Sequence, residues 1–139
     1  MAKSQYIVVV GCGRLGAILA SQLSGRGNSI VAIDRDESNF SLLSSEFSGF
    51  RIVGDATELE VLRTAKVKDA DCLLAVTDRD NVNLMVAQVA KEIFNVPRAI
   101  ARVFDPAREA VYREFGIDTI SPTQLAAEAF IEMLAEVRS

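Results

Sequence analysis

The chain has 139 residues, half of them hydrophobic, which suits one domain with a real core and argues against intrinsic disorder. Fifteen Lys and Arg against nineteen Asp and Glu leave a net charge of −4, a surface that repels phosphate backbones, so nucleic acid is not an expected partner. There is no histidine, and Cys12 and Cys72 stand far apart outside any CxxC, which excludes Ser-His and Cys-His catalysis, histidine-ligated zinc and a disulfide framework, and suits a reducing compartment.

Residues 6–10 form an unbroken apolar run rich in β-branched side chains, as expected of a strand buried on both faces. A helix follows, with Leu15, Ile18, Leu19 and Leu23 on one stripe and Gly25 or Gly27 ending it. Residues 29–33 read as the second strand, 37–46 as a helix, 50–53 as the third strand, 58–65 as a short helix and 72–76 as the fourth strand. Val82, Met85, Val86, Val89, Ala90 and Ile93 then recur at helical spacing until Asn95-Val96-Pro97 stops them. Residues 99–103 make the fifth strand. Asp105-Pro106 opens a helix with Gly116 just past its end, and residues 117–120 make the sixth strand. Ser121-Pro122-Thr123-Gln124 reads as a capping box that opens a last helix towards Val137.

Strict strand–helix alternation predicts a Rossmann-like three-layer αβα sandwich around a six-stranded parallel sheet of order 3-2-1-4-5-6, one domain over residues 1–139. No stretch approaches the ~20 apolar residues needed to cross a bilayer, so a membrane role would come through a partner.

The sharpest chemistry lies in the first strand-to-helix turn, Gly11-Cys12-Gly13-Arg14-Leu15-Gly16. In such a turn the first glycine permits the bend, the second lets backbone approach a pyrophosphate, and the third packs helix on sheet. The helix N-terminus then offers unpaired N–H groups to the anion. Asp34, eighteen residues beyond Gly16 at the end of the second strand, is placed to bind ribose hydroxyls. A carboxylate there repels a 2′-phosphate and favours NAD(H) or an adenine nucleotide over NADP(H). Arg35 beside it is either a solvated helix-start charge or a group that accepts a phosphate.

With Ile33-Asp34 and the Val53-Gly54-Asp55-Ala56-Thr57 element after the third strand, this turn resembles the N-terminal RCK (TrkA-N) domain family. The resemblance covers essentially the whole chain, including Thr77 after strand four and Ala101-Arg102 near the end of strand five. It implies a cytoplasmic regulator that binds NAD(H), or AMP, ADP or ATP, as a regulatory ligand. It also implies a homodimer or higher homo-oligomer and a potassium-translocating integral membrane partner, which would hold the protein at the inner membrane. Family members usually carry a second, C-terminal lobe, whereas this chain stops at Ser139, so either it is a single-lobe regulator or the second lobe is a separate chain or was removed. Some ATP-binding members have an acid after the proline that opens the last helix. Thr123 stands there, which tilts the expectation towards NAD(H) or AMP/ADP.

Several site residues admit two readings. Asp55 either accepts from an adenine amino group or caps the following helix, a task Thr57 serves equally well. Arg14 and Arg102 are the cations nearest the expected phosphate or nicotinamide end, but Arg102 could instead pair with Asp105. Thr77 and the residues up to Asn81 read as a polar cap or as ligand contacts. Cys12 and Cys72 read as small buried residues rather than reactive thiols, although the helix N-terminus beside Cys12 could lower its pKa. A competing function, a small NAD-dependent oxidoreductase or its cofactor lobe, needs a second surface and an acid or base, and no Tyr-x-x-x-Lys occurs. On the last helix Leu125, Ala129, Phe130, Met133, Leu134 and Val137 line one side, opposite Glu128, Glu132 and Glu136, and either cover the sheet beside strand six or form a dimer contact.

Overall fold

Alternate residues of the first strand, β1 (Tyr6–Val10), belong to two separate apolar clusters. Ile7 and Val9 pack with Ala20, Ile30, Leu74 and Val76 on one face, and Val8 and Val10 with Ile33, Leu73, Ala75 and Val86 on the other. A strand with apolar residues on both faces must be central, and this one is. In the computed structural model, which describes residues 3–137, β1 lies between β2 (Ser29–Asp34) and β4 (Cys72–Ala75). β3 (Phe50–Val53), β5 (Arg98–Arg102) and β6 (Asp118–Ile120) complete a sheet of order β3-β2-β1-β4-β5-β6, parallel at every pairing. Helix α1 (Arg14–Gly25) lies over one face, and α2 (Leu59–Thr64), α3 (Asp80–Glu92) and α4 (Glu109–Glu114) over the other. Val10 pairs with Ile33 on one side and Ala75 on the other, so the carboxyl ends of the three central strands stop level.

The strands form where the sequence places them, to within a residue at the ends. The helices depart from it more. On α1 the buried residues are Gly16, Ala17, Ala20, Ser21 and Ser24, while Ile18 is 53% exposed and Leu15, Leu19 and Leu23 are only partly covered. Close approach of helix to sheet selects small side chains on the contact face and pushes the large ones to its flanks. On α3 the buried face is Asn83, Val86, Ala87 and Ala90, and Met85 and Ile93 are half exposed.

The helix expected over residues 37–46 is a 3₁₀ segment, Glu37–Leu42, opened by Asp36, whose side chain accepts the Ser38 amide. Ser38, Asn39 and Ser41 bond locally and compete with α-helical pairing. Asp105 caps another 3₁₀ turn, Pro106–Arg108, which leads into α4. The capping box is half made: Ser121 Oγ accepts the Gln124 amide at 3.2 Å, but the Gln124 side chain turns to Glu128. The last helix, α5 (Pro122–Val137), does not cover the sheet, and residues 123–136 are all exposed. The Val137 side chain lies outside what the structure describes.

Candidate functional site

The strand order reverses between β1 and β4, so the loops that leave these strands diverge and open a crevice of about 430 Å³ above the sheet. The glycine turn forms one wall. Gly11 has φ +99°, and a Cβ there would stand 2.9 Å from the Thr77 backbone nitrogen, so only glycine lets the turn lie against the loop after β4. A Cβ on Gly16 would come within 1.7 Å of the Gly11 carbonyl oxygen, which makes this residue the contact between α1 and its own turn. Gly13 differs. A Cβ there meets nothing within 4 Å, because the position borders the open crevice. Gly13 is also the N-cap of α1, so the unpaired amides of the first helical turn lie beside that opening.

The ends of β2 and β3 supply an acidic wall. Asp34 Oδ2 accepts the Cys12 amide at 2.7 Å, and Oδ1 accepts from the Asp36 amide at 2.8 Å and Asn39 Nδ2 at 3.2 Å. These bonds hold the carboxylate at the crevice edge and join it to the glycine turn. Asp55 Oδ1 accepts both the amide and the hydroxyl of Thr57, at 2.9 and 2.6 Å. Those two bonds hold the Asp55 carboxyl below its ordinary range, and the nearby Arg35 guanidinium adds to the effect. Neither Asp55 nor Thr57 caps α2, whose N-cap residue is Glu58 and has no side-chain cap.

Cations stand towards the other end. Arg14 opens α1 on the crevice rim, and Arg79, in the polar segment after strand four, lines the same crevice. Arg102 Nη2 donates to the carbonyls of Val76 and Thr77 at 2.7 and 2.9 Å, and its guanidinium stacks on Phe104, 4.7 Å from the ring centre. Asp105 is not its partner: that carboxylate caps Ala107 and faces Arg108 at 3.9 Å. Burial lowers the Arg102 pKa from its ordinary value, against the pull of Asp78 and Asp80, and its Nε is buried with no partner among the described residues.

Of the residues singled out from sequence, Gly11, Gly13, Arg14, Asp34, Arg35, Asp55, Ala56, Thr57, Thr77 and Arg102 line this one crevice. Leu15 and Gly16 do not. Leu15 packs on the apolar cluster under α1, and Gly16 serves the turn itself. Asn39, Asp78, Arg79 and Val82 also line the crevice. Asp78 and Arg79 belong to the polar segment after β4 for which the sequence left ligand contact open, and Val82 lies in the first turn of α3. Cys12 is the small buried residue the sequence favours, and the alternative of a lowered pKa fails: burial together with the Asp34 carboxylate pushes the thiol up to about 11. A desolvated sulfur facing a carboxylate gains nothing from the helix terminus beside it.

The sheet order, the glycine turn and the acid at the end of β2 define a Rossmann-like domain. More narrowly, the chain belongs to the TrkA-N domain family, whose model matches residues 7–122. It is 38% identical over 129 residues to the Trk system potassium uptake protein TrkA of Streptomyces coelicolor, covering 93% of this chain and 58% of that protein. To the Trk system potassium uptake protein TrkA homolog of Pyrococcus abyssi it is 32% identical over 136 residues, covering 93% of this chain and 60% of that one. The chain thus spans about three fifths of these relatives.

Among solved structures, the GsuK RCK domain superposes with a TM-score of 0.83 at 23% identity, over 99% of this chain and 30% of that one. The Kef CTD of Shewanella denitrificans in its AMP-bound form gives 0.79 at 23%, over 96% and 82%. The GsuK channel bound to NAD gives 0.71 at 20%, over 86% and 22%. At these identities the likeness is one of fold.

Proposed function

We propose that the chain is the nucleotide-sensing lobe of a regulator of potassium translocation, a binding module rather than an enzyme. The observation that carries the nucleotide reading is the crevice itself. Its acidic wall of Asp34 and Asp55 suits ribose hydroxyls and an adenine amino group, and its α1 N-terminus with Arg14 and Arg102 suits the anionic part. Asp34, facing where a 2′-phosphate would sit, favours NAD(H), with AMP, ADP or ATP as the alternative ligands. The potassium system rests on the names of the relatives, Trk system potassium uptake proteins.

Among the described residues no helix is long and apolar enough to cross a membrane. The partner proposed is a potassium-translocating membrane subunit, on the names of the relatives. A cytoplasmic position at the inner membrane follows from that partnership. A second copy of the chain is the natural cover for α5, where Phe130 is 71% exposed.

A thermal-shift screen against NADH, NAD, NADPH, ATP, ADP and AMP tests the ligand reading. A ligand that binds only the folded state stabilises it by RT ln(1 + [L]/Kd), so the ranking of shifts is the ranking of affinities. NADH, NAD or an adenine nucleotide should raise Tm more than NADPH. No shift with any of the six overturns the reading.

A further inference from the structure

Asn83 interrupts the apolar buried face of α3 and has no exposed surface. A buried carboxamide is tolerated only when its capacity is used. Here Oδ1 accepts the Thr77 amide at 2.9 Å and the Thr77 hydroxyl at 2.7 Å, and Nδ2 donates to the carbonyls of Thr77 and Arg102 at 3.1 and 3.0 Å. The side chain is therefore saturated, and every partner lies in one of two residues that line the crevice. Asn83 itself does not line it.

Arg102 repeats the link from the opposite side, since its guanidinium donates to the carbonyls of Val76 and Thr77. The loop after β4 and the end of β5 are thus tied twice, once through a buried amide and once through the cation at the crevice. The same loop lies against the glycine turn, where the Thr77 nitrogen leaves no space for a Cβ on Gly11. None of these bonds reaches Asp34, Asn39 or Asp55, which hang from β2, β3 and the loops after them.

We propose that Asn83 is a positioning residue for the anionic end of the crevice. It holds the Thr77 loop and Arg102 in the geometry that receives the phosphates of a nucleotide, and it does so without touching the ligand. The proposal rests on the nucleotide reading above, and deepens it by separating two halves of one site. A merely structural asparagine would, when lost, weaken the fold and all ligands together. A positioning asparagine splits them by ligand.

The test is calorimetric titration of the wild type and of Asn83→Asp with ADP, NADH and adenosine, beside urea unfolding of both. Asn83→Asp keeps the volume and the acceptor for Thr77 but loses both Nδ2 donors and adds a negative charge. Asn83→Leu, neutral and of similar volume, is therefore titrated beside it and must show the same split between ligands. ADP and NADH affinity should fall at least about tenfold, roughly 1.4 kcal/mol. Adenosine affinity should stay within about twofold. Equal losses for all three ligands, or an unchanged ADP affinity, overturn the proposal while the nucleotide reading stands. A wild type that binds neither ADP nor NADH overturns the nucleotide reading and takes this proposal with it.

If Asn83→Asp does not fold, nuclear magnetic resonance of the isotope-labelled wild type decides. The Asn83 side-chain amide signals should shift with ADP and hold still with adenosine. Signals unmoved by ADP, or moved equally by both, overturn the proposal.

Discussion

The Cys12 amide donates to Asp34 Oδ2 at 2.7 Å, so the end of β2 is bonded to the glycine turn across the top of β1. The carboxylate that a ribose would meet is therefore part of the wall that would hold the pyrophosphate. Its other oxygen is engaged by Asp36 and Asn39, and with all three donors in place it is oriented before any ligand arrives. Orientation of this kind lowers the entropy a bound ligand must lose.

Replacing Asp34 with Asn keeps the shape and removes the charge. Losing one charge-assisted pair to a ribose should cost ~1.5–3 kcal/mol, more than tenfold in NADH or ADP affinity. Because the Asp34 carboxylate also braces the turn, a urea melt of the same sample must show how much stability went with it. Unchanged affinity for both nucleotides would remove Asp34 from the site.

Gly13 and Gly16 should answer opposite assays. Gly13→Val adds a side chain whose Cβ meets nothing within 4 Å and which borders the open crevice, so Tm should hold while nucleotide binding disappears. Gly16→Ala places a Cβ 1.7 Å from the Gly11 carbonyl oxygen, so the turn must shift. Overpacking of this sort costs ~1–3 kcal/mol, a Tm drop of several degrees in a domain of this size. Calorimetry on both variants checks the pair. A Gly13→Val protein that binds every nucleotide normally would make the glycine turn structural only.

Cys12 links the site to pH. Its thiol is pushed up to about 11 in the folded chain from an ordinary 9.0, so the folded state holds that proton more tightly than the unfolded one. The stabilisation is complete below pH 9 and is lost as pH rises through about 11, an effect on the order of 2 kcal/mol. Urea melts at intervals from pH 8 to roughly 11, on wild type and Cys12→Ala, isolate it from other groups that titrate there. The wild type should lose stability more steeply than the variant. Alkylation of Cys12 at pH 8 should be slow in the folded protein, and fast labelling would contradict its burial.

The parts legible in the sequence are those encoded over short distances. Six apolar runs between helical segments give the sheet, and the spacing from Gly11 to Asp34 gives the crevice, because turn, helix start and strand end follow one another along the chain. Asn83 was not legible. It looks like a polar interruption in an apolar stripe; three of its bonds return to Thr77 six residues back, and the fourth reaches Arg102 only when β4 and β5 lie side by side. Arg102 was legible as a cation but not in its contacts, since Val76 and Thr77 reach it through that same pairing. The stripe on α1 misled for a different reason. Hydrophobic spacing marks which side faces the sheet, whereas Gly16 sets how near the helix comes, and nearness decided that Ala17 and Ala20 are buried and Ile18 is not.

Leu125, Phe130, Ile131, Met133 and Leu134 are 53–71% exposed on α5, a helix that follows β6 without covering the sheet. Five large apolar side chains in water over so short a stretch exceed the scattered exposure that soluble surfaces ordinarily show. Of these, Phe130 is the most exposed, and an aromatic side chain contributes 150–250 Å² where it is buried, about the largest single share available to a contact. The expected outcome is a homodimer with α5 in the interface. Sedimentation equilibrium over a hundredfold concentration range should show the wild type associating. Phe130→Glu, folded by circular dichroism, should dissociate at about a hundredfold higher concentration, roughly 2.7 kcal/mol, because the charge would be taken out of water without a partner. The variant should fold because Phe130 contributes little to the core of its own chain. A wild type monomeric throughout the range would end the dimer reading, and a dimer indifferent to Phe130→Glu would move the interface to another face.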